Sequence, residues 1–152
     1  MPKPIKRHHA LQPLSRDHHR GLLLCWKIRE GLKRNIEIDR IKAYTDWFWE
    51  NHLQPHFELE EQYIFPIMEE SDPNVKQAID EHVRLENLFR QDHDLTSALR
   101  QIETELADHI RFEERILFNE IQRTASESQW QTIEKMHTDS SSCDIWSDRF
   151  WE

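Results

Sequence analysis

The sequence predicts an all-α fold: an antiparallel up-down four-helix bundle with a short fifth helix and a C-terminal tail. Three observations carry this expectation. Only two of the 152 residues are glycine, while Glu, Lys, Arg, Gln and Leu are plentiful, a composition that favours helices. Four long stretches repeat apolar residues at spacings of three and four, the period of a helix with one buried face. Residues suited to caps and turns fall between those stretches.

Residues 1 to about 11 read as an irregular arm, and Pro13 suits the first turn of a helix. Leu11, Leu14, His18, Gly21, Cys25, Ile28 and Leu32 form one stripe, so the first helix spans roughly residues 13 to 33. Asn35 to Ile38 reads as a turn, with Asp39 as N-cap of the second helix. That helix puts Ile41, Thr45, Phe48, His52, His56, Glu60, Ile64 and Ile67 on one face. Pro55 removes a donor and crowds the carbonyl of Asn51, which predicts a kink or short break just before His56. Ser71-Asp72-Pro73 reads as a cap and first-turn proline for the third helix. Its inward residues are Val75, Ala78, Ile79, His82, Leu85, Glu86 and Phe89. Asp94 or Thr96 caps the fourth helix, about residues 96 to 124, which turns Leu99, Ile102, Leu106, His109, Glu113, Ile116, Leu117, Glu120 and Ile121 inward. Ser126-x-x-Gln129 is a capping-box pattern that starts the short fifth helix with Trp130 and Ile133. The tail from Thr138 to Glu152 ends in Trp146, Phe150 and Trp151. Spaced aromatics among polar residues suit a strap docked on the bundle, with a partner-binding tail as the alternative.

The length fits one domain over residues 1–152, with the bundle at about 13–124 and the short helix and tail at 126–152. A net charge of −9 argues against nucleic acid and anionic membrane as partners, since a phosphate footprint needs clustered Lys and Arg. The basic run from Lys3 to Arg7 is short and reads as a solvated tail. Cys25 and Cys143 lie far apart with no C-x-x-C pair, which suits a reducing compartment. No apolar run is long enough for a signal peptide or a membrane span. The expected location is the cytoplasm.

The chemistry concentrates in one repeated unit. His56-Phe57-Glu58-Leu59-Glu60-Glu61 returns as His109-Ile110-Arg111-Phe112-Glu113-Glu114. Residues i and i+4 stack on one helical face, so each copy presents an imidazole beside a carboxylate. The inward stripes together supply His18, His56, Glu60, His82, Glu86, His109 and Glu113. A lone core histidine is usually just a hydrogen-bonded core residue, and a lone H-x-x-x-E is usually a surface pair. Here all four helices put a histidine on the inner stripe, and the buried carboxylates need a partner because desolvating them is costly. A multivalent cation is the natural partner. Imidazole and carboxylate without thiolate suit iron, manganese or zinc. The ligands outnumber one tetrahedral zinc site and fit two metal ions bridged by the two carboxylates.

His19 is the rival of His18, on a less continuous stripe. His52 reads as a satisfied core histidine, with a supporting role beside a ligand as the alternative. His93 and His137 lie near helix ends, His8 and His9 on the arm, and Cys25 in the core. Glu58, Glu69 and Glu70 read as solvated. A ferritin-like bundle needs E-x-x-H on two core helices; the one such spacing, Glu134-Lys135-Met136-His137, lies outside the bundle.

These motifs resemble the hemerythrin-like (HHE cation-binding) family. Leu14-Ser15-Arg16-Asp17-His18 is similar to its first-helix pattern, His56-Phe57-x-x-Glu60-Glu61 to its second, Glu81-His82-x-x-Leu85 to its third, and His109-Ile110-Arg111-Phe112-Glu113-Glu114 to its fourth. The resemblance runs from about Leu14 to Phe118. It implies a non-heme di-iron centre, oxo- or hydroxo-bridged, that binds or reacts with O₂ or a related ligand such as NO or peroxide. Glu60 and Glu113 would be the bridging carboxylates. A bridge at +5, Glu114, is the pattern of the oxygen carriers, but only +4 places the acid directly above His109. Those carriers also have a histidine where this chain has Ala78. Glu86 is then expected as a substitute ligand, or the position is open to water. Sensing, storage or detoxification is thus expected ahead of oxygen carriage. A di-metal oxidase or peroxidase, and a metal-dependent sensor or interaction domain without catalysis, are the alternatives.

Overall fold

The structure is a computed structural model that describes residues 6–136 and 146–152. The first bundle helix is α1 (Gln12–Lys33), with Pro13 in its first turn. The second is a compound rod. It begins as α2 (Ile38–Phe48), widens into a π turn at Trp49–Leu53 and continues as α3 (Gln54–Leu59). It widens again at Glu60–Ile64 and ends in a 3₁₀ turn, Phe65–Ile67. The third is α4 (Pro73–Arg90), and the fourth is α5 (Leu95–Phe112), a π turn at Glu113–Leu117 and α6 (Phe118–Thr124). The short fifth helix is α7 (Glu127–Met136). Among the described residues there is no strand, and no helix is long and apolar enough to cross a membrane.

The ends follow local chemistry in most places. Asp72 accepts hydrogen bonds from the backbone N–H groups of Asn74 and Val75, with Pro73 opening the helix behind it. Ser126 and Gln129 form the reciprocal capping box, Ser126 N to Gln129 Oε1 at 2.8 Å and Gln129 N to Ser126 Oγ at 3.3 Å. Asn35 takes a left-handed conformation (φ 56°) after α1, which its short polar side chain tolerates. Asp39 is not the N-cap of the second helix. Glu37 holds that position without a side-chain cap, and Asp39 sits in the first turn, where its charge still favours the positive end of the helix. Asp94 is at the N-cap of α5 but left-handed (φ 48°), without a side-chain cap bond. The distortion expected at Pro55 is the π turn just before it, Trp49–Leu53; the proline itself enters in the first turn of α3.

Apolar packing divides into two clusters. One holds Leu24, Ile28, Phe48, Leu85, Phe89, Ile102 and Leu106 among others, and the second holds Leu11, Leu14, Ile64, Val75, Ala78, Leu117 and Ile121. Along each bundle helix the inward histidine falls between residues of the two clusters, so the polar residues form a layer between apolar halves. Gly21 allows α1 to lie close on α5, since a Cβ there would meet Ile110 Cδ1 at 2.8 Å. Two expected core residues are outside it: Ile79 is 36% exposed and Ile116 46% exposed. Ile79 is one residue, about 100°, beyond the buried stripe Val75-Ala78-His82-Leu85-Phe89. Ile116 sits in the π turn, where Leu117, also expected inward, is the buried one of the two.

The described part of the arm, from Lys6 on, is more regular than expected. His9–Leu11 is a 3₁₀ turn with Ala10 and Leu11 buried, and His8 stacks on Trp130. The described end of the tail docks as a strap. Phe150 is buried against Gly31 and Ile41, and Trp146, Phe150 and Trp151 surround Tyr44. Asp148 receives two hydrogen bonds from Arg40, at 2.9 and 2.6 Å. His137, Cys143 and the serine run lie outside the described residues.

Candidate metal centre

Four histidines and two glutamates meet in the polar layer. His18, His56, Glu60 and Glu113 form one group whose possible ligand atoms all lie within 4.8 Å of one another. Glu60, His82, His109 and Glu113 form a second such group. Both groups contain Glu60 and Glu113, and all six residues are buried. His18 Nε2 lies 3.2 Å from Glu113 Oε1, and His109 Nε2 lies 2.9 Å from the same oxygen. His56 Nε2 and His82 Nε2 are each 3.3 Å from Glu60 Oε1. The two rings within each group meet edge to face, with centroids 4.8 Å apart in both pairs.

The other nitrogen of every ring is held by a carboxylate from the neighbouring bundle helix. Asp17 of the first helix holds His56 Nδ1 at 3.0 Å, and Glu61 of the second holds His82 Nδ1 at 3.2 Å. Glu81 of the third holds His109 Nδ1 at 2.7 Å, and Glu114 of the fourth closes the ring on His18 Nδ1 at 3.0 Å. Each outer acid is the sequence neighbour of an inner residue: Asp17-His18, Glu60-Glu61, Glu81-His82 and Glu113-Glu114. Two adjacent helical residues point about 100° apart. One can face the centre while the other reaches sideways to the next helix. The pattern repeats from the first helical hairpin to the second, an approximate two-fold arrangement. A Nδ1–H···carboxylate bond fixes the tautomer and leaves the Nε2 lone pair facing inward.

The π turns place the carboxylates. Glu60 opens one and Glu113 the other. The inward series Phe48, His52, His56, Glu60, Ile64 advances in steps of four, as does His109, Glu113, Leu117, Ile121. In an α-helix each step of four overruns a full turn by about 40°, so a long run of fours would wind off the core. The extra residue in each π turn takes up the drift. That signal was present in the spacing.

Electrostatics tie the cluster together. Burial alone would push these imidazoles down, but the carboxylates outweigh it. His56 is raised to about 9 through Glu60 and Asp17, and His109 to about 10 through Glu113 and Glu81. His18 and His82 are raised for the same reason, by Glu113 and Glu114 and by Glu60 and Glu61 respectively. Burial would raise Glu60, yet His56, His18 and His82 hold it well below the usual carboxylate range. Even so, Nε2 of His56, His82 and His109, both oxygens of Glu60 and Oε2 of Glu113 are buried without a well-aligned hydrogen-bond partner. Buried polar atoms are rarely left this way. Inward-facing carboxylate oxygens and imidazole nitrogens that become lone-pair donors on losing their protons fit multivalent cations.

His18 joins the cluster while His19 is exposed. Glu113 faces inward and Glu114 outward, where Arg7 grips it at 2.9 Å. Arg7 is therefore no solvated tail residue; it also reaches the Glu114 carbonyl, Asn119 and Gln122. Glu86 is not brought into the cluster. It is half-exposed and paired with Arg90 one turn on, because it lies one residue round from the buried Leu85. Ala78, at 0% exposure, is packed in the apolar cluster beside the site. His52 packs between Trp47 and Phe48, away from the ligand groups. His93 is exposed beside Asp92. The Cys25 thiol is pushed up to about 12, chiefly by burial and then by Glu103, which leaves it unreactive. From the sequence Asp17, Glu61 and Glu81 had no role as holders of a ring, and Glu114 stood only as the rival of Glu113 for the bridge. Their signal was the charged neighbour beside each inner residue.

The model of the hemerythrin HHE cation binding domain matches residues 9–119. No curated protein and no solved structure matches the chain.

Proposed function

From membership of the hemerythrin HHE cation-binding family, to which this chain belongs, we propose that it is a non-heme di-iron protein that binds dioxygen or a related small ligand. NO and peroxide are the related ligands, and sensing, storage or detoxification the roles. The observation that carries the reading is the pair of ligand groups sharing Glu60 and Glu113. His18 and His56 would hold one iron and His82 and His109 the other, with the two carboxylates between them. Manganese or zinc could occupy the same donors. Iron in that site would supply redox chemistry and coordination positions not filled by the protein.

The chain's own residues do the rest. Asp17, Glu61, Glu81 and Glu114 fix the four rings and increase their basicity. With Glu60 and Glu113 they place six carboxylates at the site, a charge that suits two multivalent cations. Phe57 stacks on His82 at 3.7 Å and Phe118 on His18 at 5.2 Å, which limits water at the rings.

Ala78 favours a second reading, a di-metal oxidase or peroxidase. It adds no imidazole, so each ion would be held by two histidines and the shared carboxylates. Steady turnover of O₂ or peroxide with a reductant would establish the enzyme; reversible binding without turnover would establish the ligand-binding protein. A cytoplasmic location belongs to the same proposal.

A further inference from the structure

We propose that the cavity between the second and third bundle helices is the entrance through which divalent cations are loaded into the centre. This rests on the reading of the polar layer as a metal site. The cavity has a volume of about 160 Å³, and its lining includes Phe57, Glu58, Glu61, His82, Val83 and Glu86. Three features of the lining point to a cation. Three of its eight residues are carboxylates. His82 reaches both the cavity and the centre: it lines the former, and its Nε2, buried and without a well-aligned hydrogen-bond partner, belongs to the second ligand group. Glu61 links the two, lining the cavity while holding His82 Nδ1 at 3.2 Å. Val83, 55% exposed, lies at the surface end.

The chemistry of entry follows from that order. A hydrated divalent cation is drawn to a mouth of like-signed carboxylates with low-dielectric walls, which concentrates counter-ions and raises on-rates. Glu58 is exposed and can replace water on the ion, and half-exposed Glu86 can do so by exchanging its surface partner Arg90 for the cation. Glu61 and His82 then stand between the mouth and the bridging carboxylate Glu60. Glu86 thus gains a role although it lies outside the ligand groups. A neutral diatomic molecule gains nothing from three carboxylates, so the lining favours the cation as the traffic.

The test is the rate of Co²⁺ uptake by metal-free protein, followed by stopped-flow absorbance, together with final Co²⁺ content. The parent chain is compared with Glu58→Gln/Glu86→Gln and with Val83→Trp, which narrows the mouth. Both variants alter surface positions, and circular dichroism checks their fold. The proposal expects uptake about tenfold slower in the double variant at low ionic strength, with a weaker salt dependence. It expects slower uptake and slower release in Val83→Trp, and two Co²⁺ per chain at the end in every case. Parental rates in both variants would overturn the entrance while leaving the metal centre standing. Lower final content in the double variant would make these residues ligands, and would also overturn it. A parent chain that takes up no Co²⁺ would remove the metal centre and the entrance together.

Discussion

Glu81 on α4 accepts the Nδ1 proton of His109 on α5 at 2.7 Å, the shortest of the four contacts that hold the rings from outside. The carboxylate is about one-third exposed and also receives Gln77. Its removal should therefore leave the fold intact. Glu81→Ala is expected to weaken metal affinity 10–100-fold, the usual cost of losing such a support. Competition against a chelator of known affinity measures this. Unchanged affinity would mean that the contact does not orient a ligand.

Sharing of Glu60 and Glu113 makes a prediction about stoichiometry. Glu60→Ala removes a donor from both groups, whereas His18→Ala removes one from a single group. Metal content should fall from two toward zero in Glu60→Ala, and His18→Ala should retain the ion held by His82 and His109. Elemental analysis of purified variants distinguishes the two outcomes. Equal losses would argue against carboxylates shared between two ions.

The raised imidazoles set a pH dependence for metal-free protein. His56 and His109 titrate at about 9 and about 10 when folded, against an ordinary value of about 6.5 in the unfolded chain. The folded state binds the extra protons, so this contribution is fully present below pH 6.5 and is lost as pH rises through 9 and 10. The Tm of chelator-treated protein should fall over that range. Metal ligation requires neutral imidazole, so loading at pH 7 should release protons and affinity should rise with pH. Calorimetry in buffers of different ionisation enthalpy reads the release. No buffer dependence would contradict it.

The strap is expected to serve stability rather than metal binding. Phe150 is buried in the cluster that contains Ile28 and Ile41. Phe150→Ala should cost about 3 kcal/mol, the low end for a buried aromatic. Denaturant titration measures the loss, and metal content should stay at the parental value. A variant of parental stability would favour a partner-binding tail.

Much of this architecture was legible before the fold was known. The stripe Leu11-Leu14-His18-Gly21-Cys25-Ile28 placed the first helix, and the doubled H-x-x-x-E-E unit placed the two shared carboxylates on facing helices. Legibility failed at residues whose surroundings a one-face periodicity does not fix. Glu86 looked inward by spacing from His82, yet Arg90 pairs with it at the surface. Ile116 looked inward together with Leu117, yet of the two the π turn buries Leu117 alone. Arg7 looked like part of a basic tail because only the folded chain brings it to Glu114. The four outer acids were harder still. Each acts on a histidine of another helix, and periodicity within one helix carries no record of such a contact.

Metal content of protein purified without chelator is the decisive measurement for a di-iron centre. About two irons per chain are expected, with an optical band of a bridged diferric pair that disappears in Glu60→Ala and Glu113→Ala. A folded chain with no bound transition metal, or with one ion whose content is unaffected by either substitution, would contradict it.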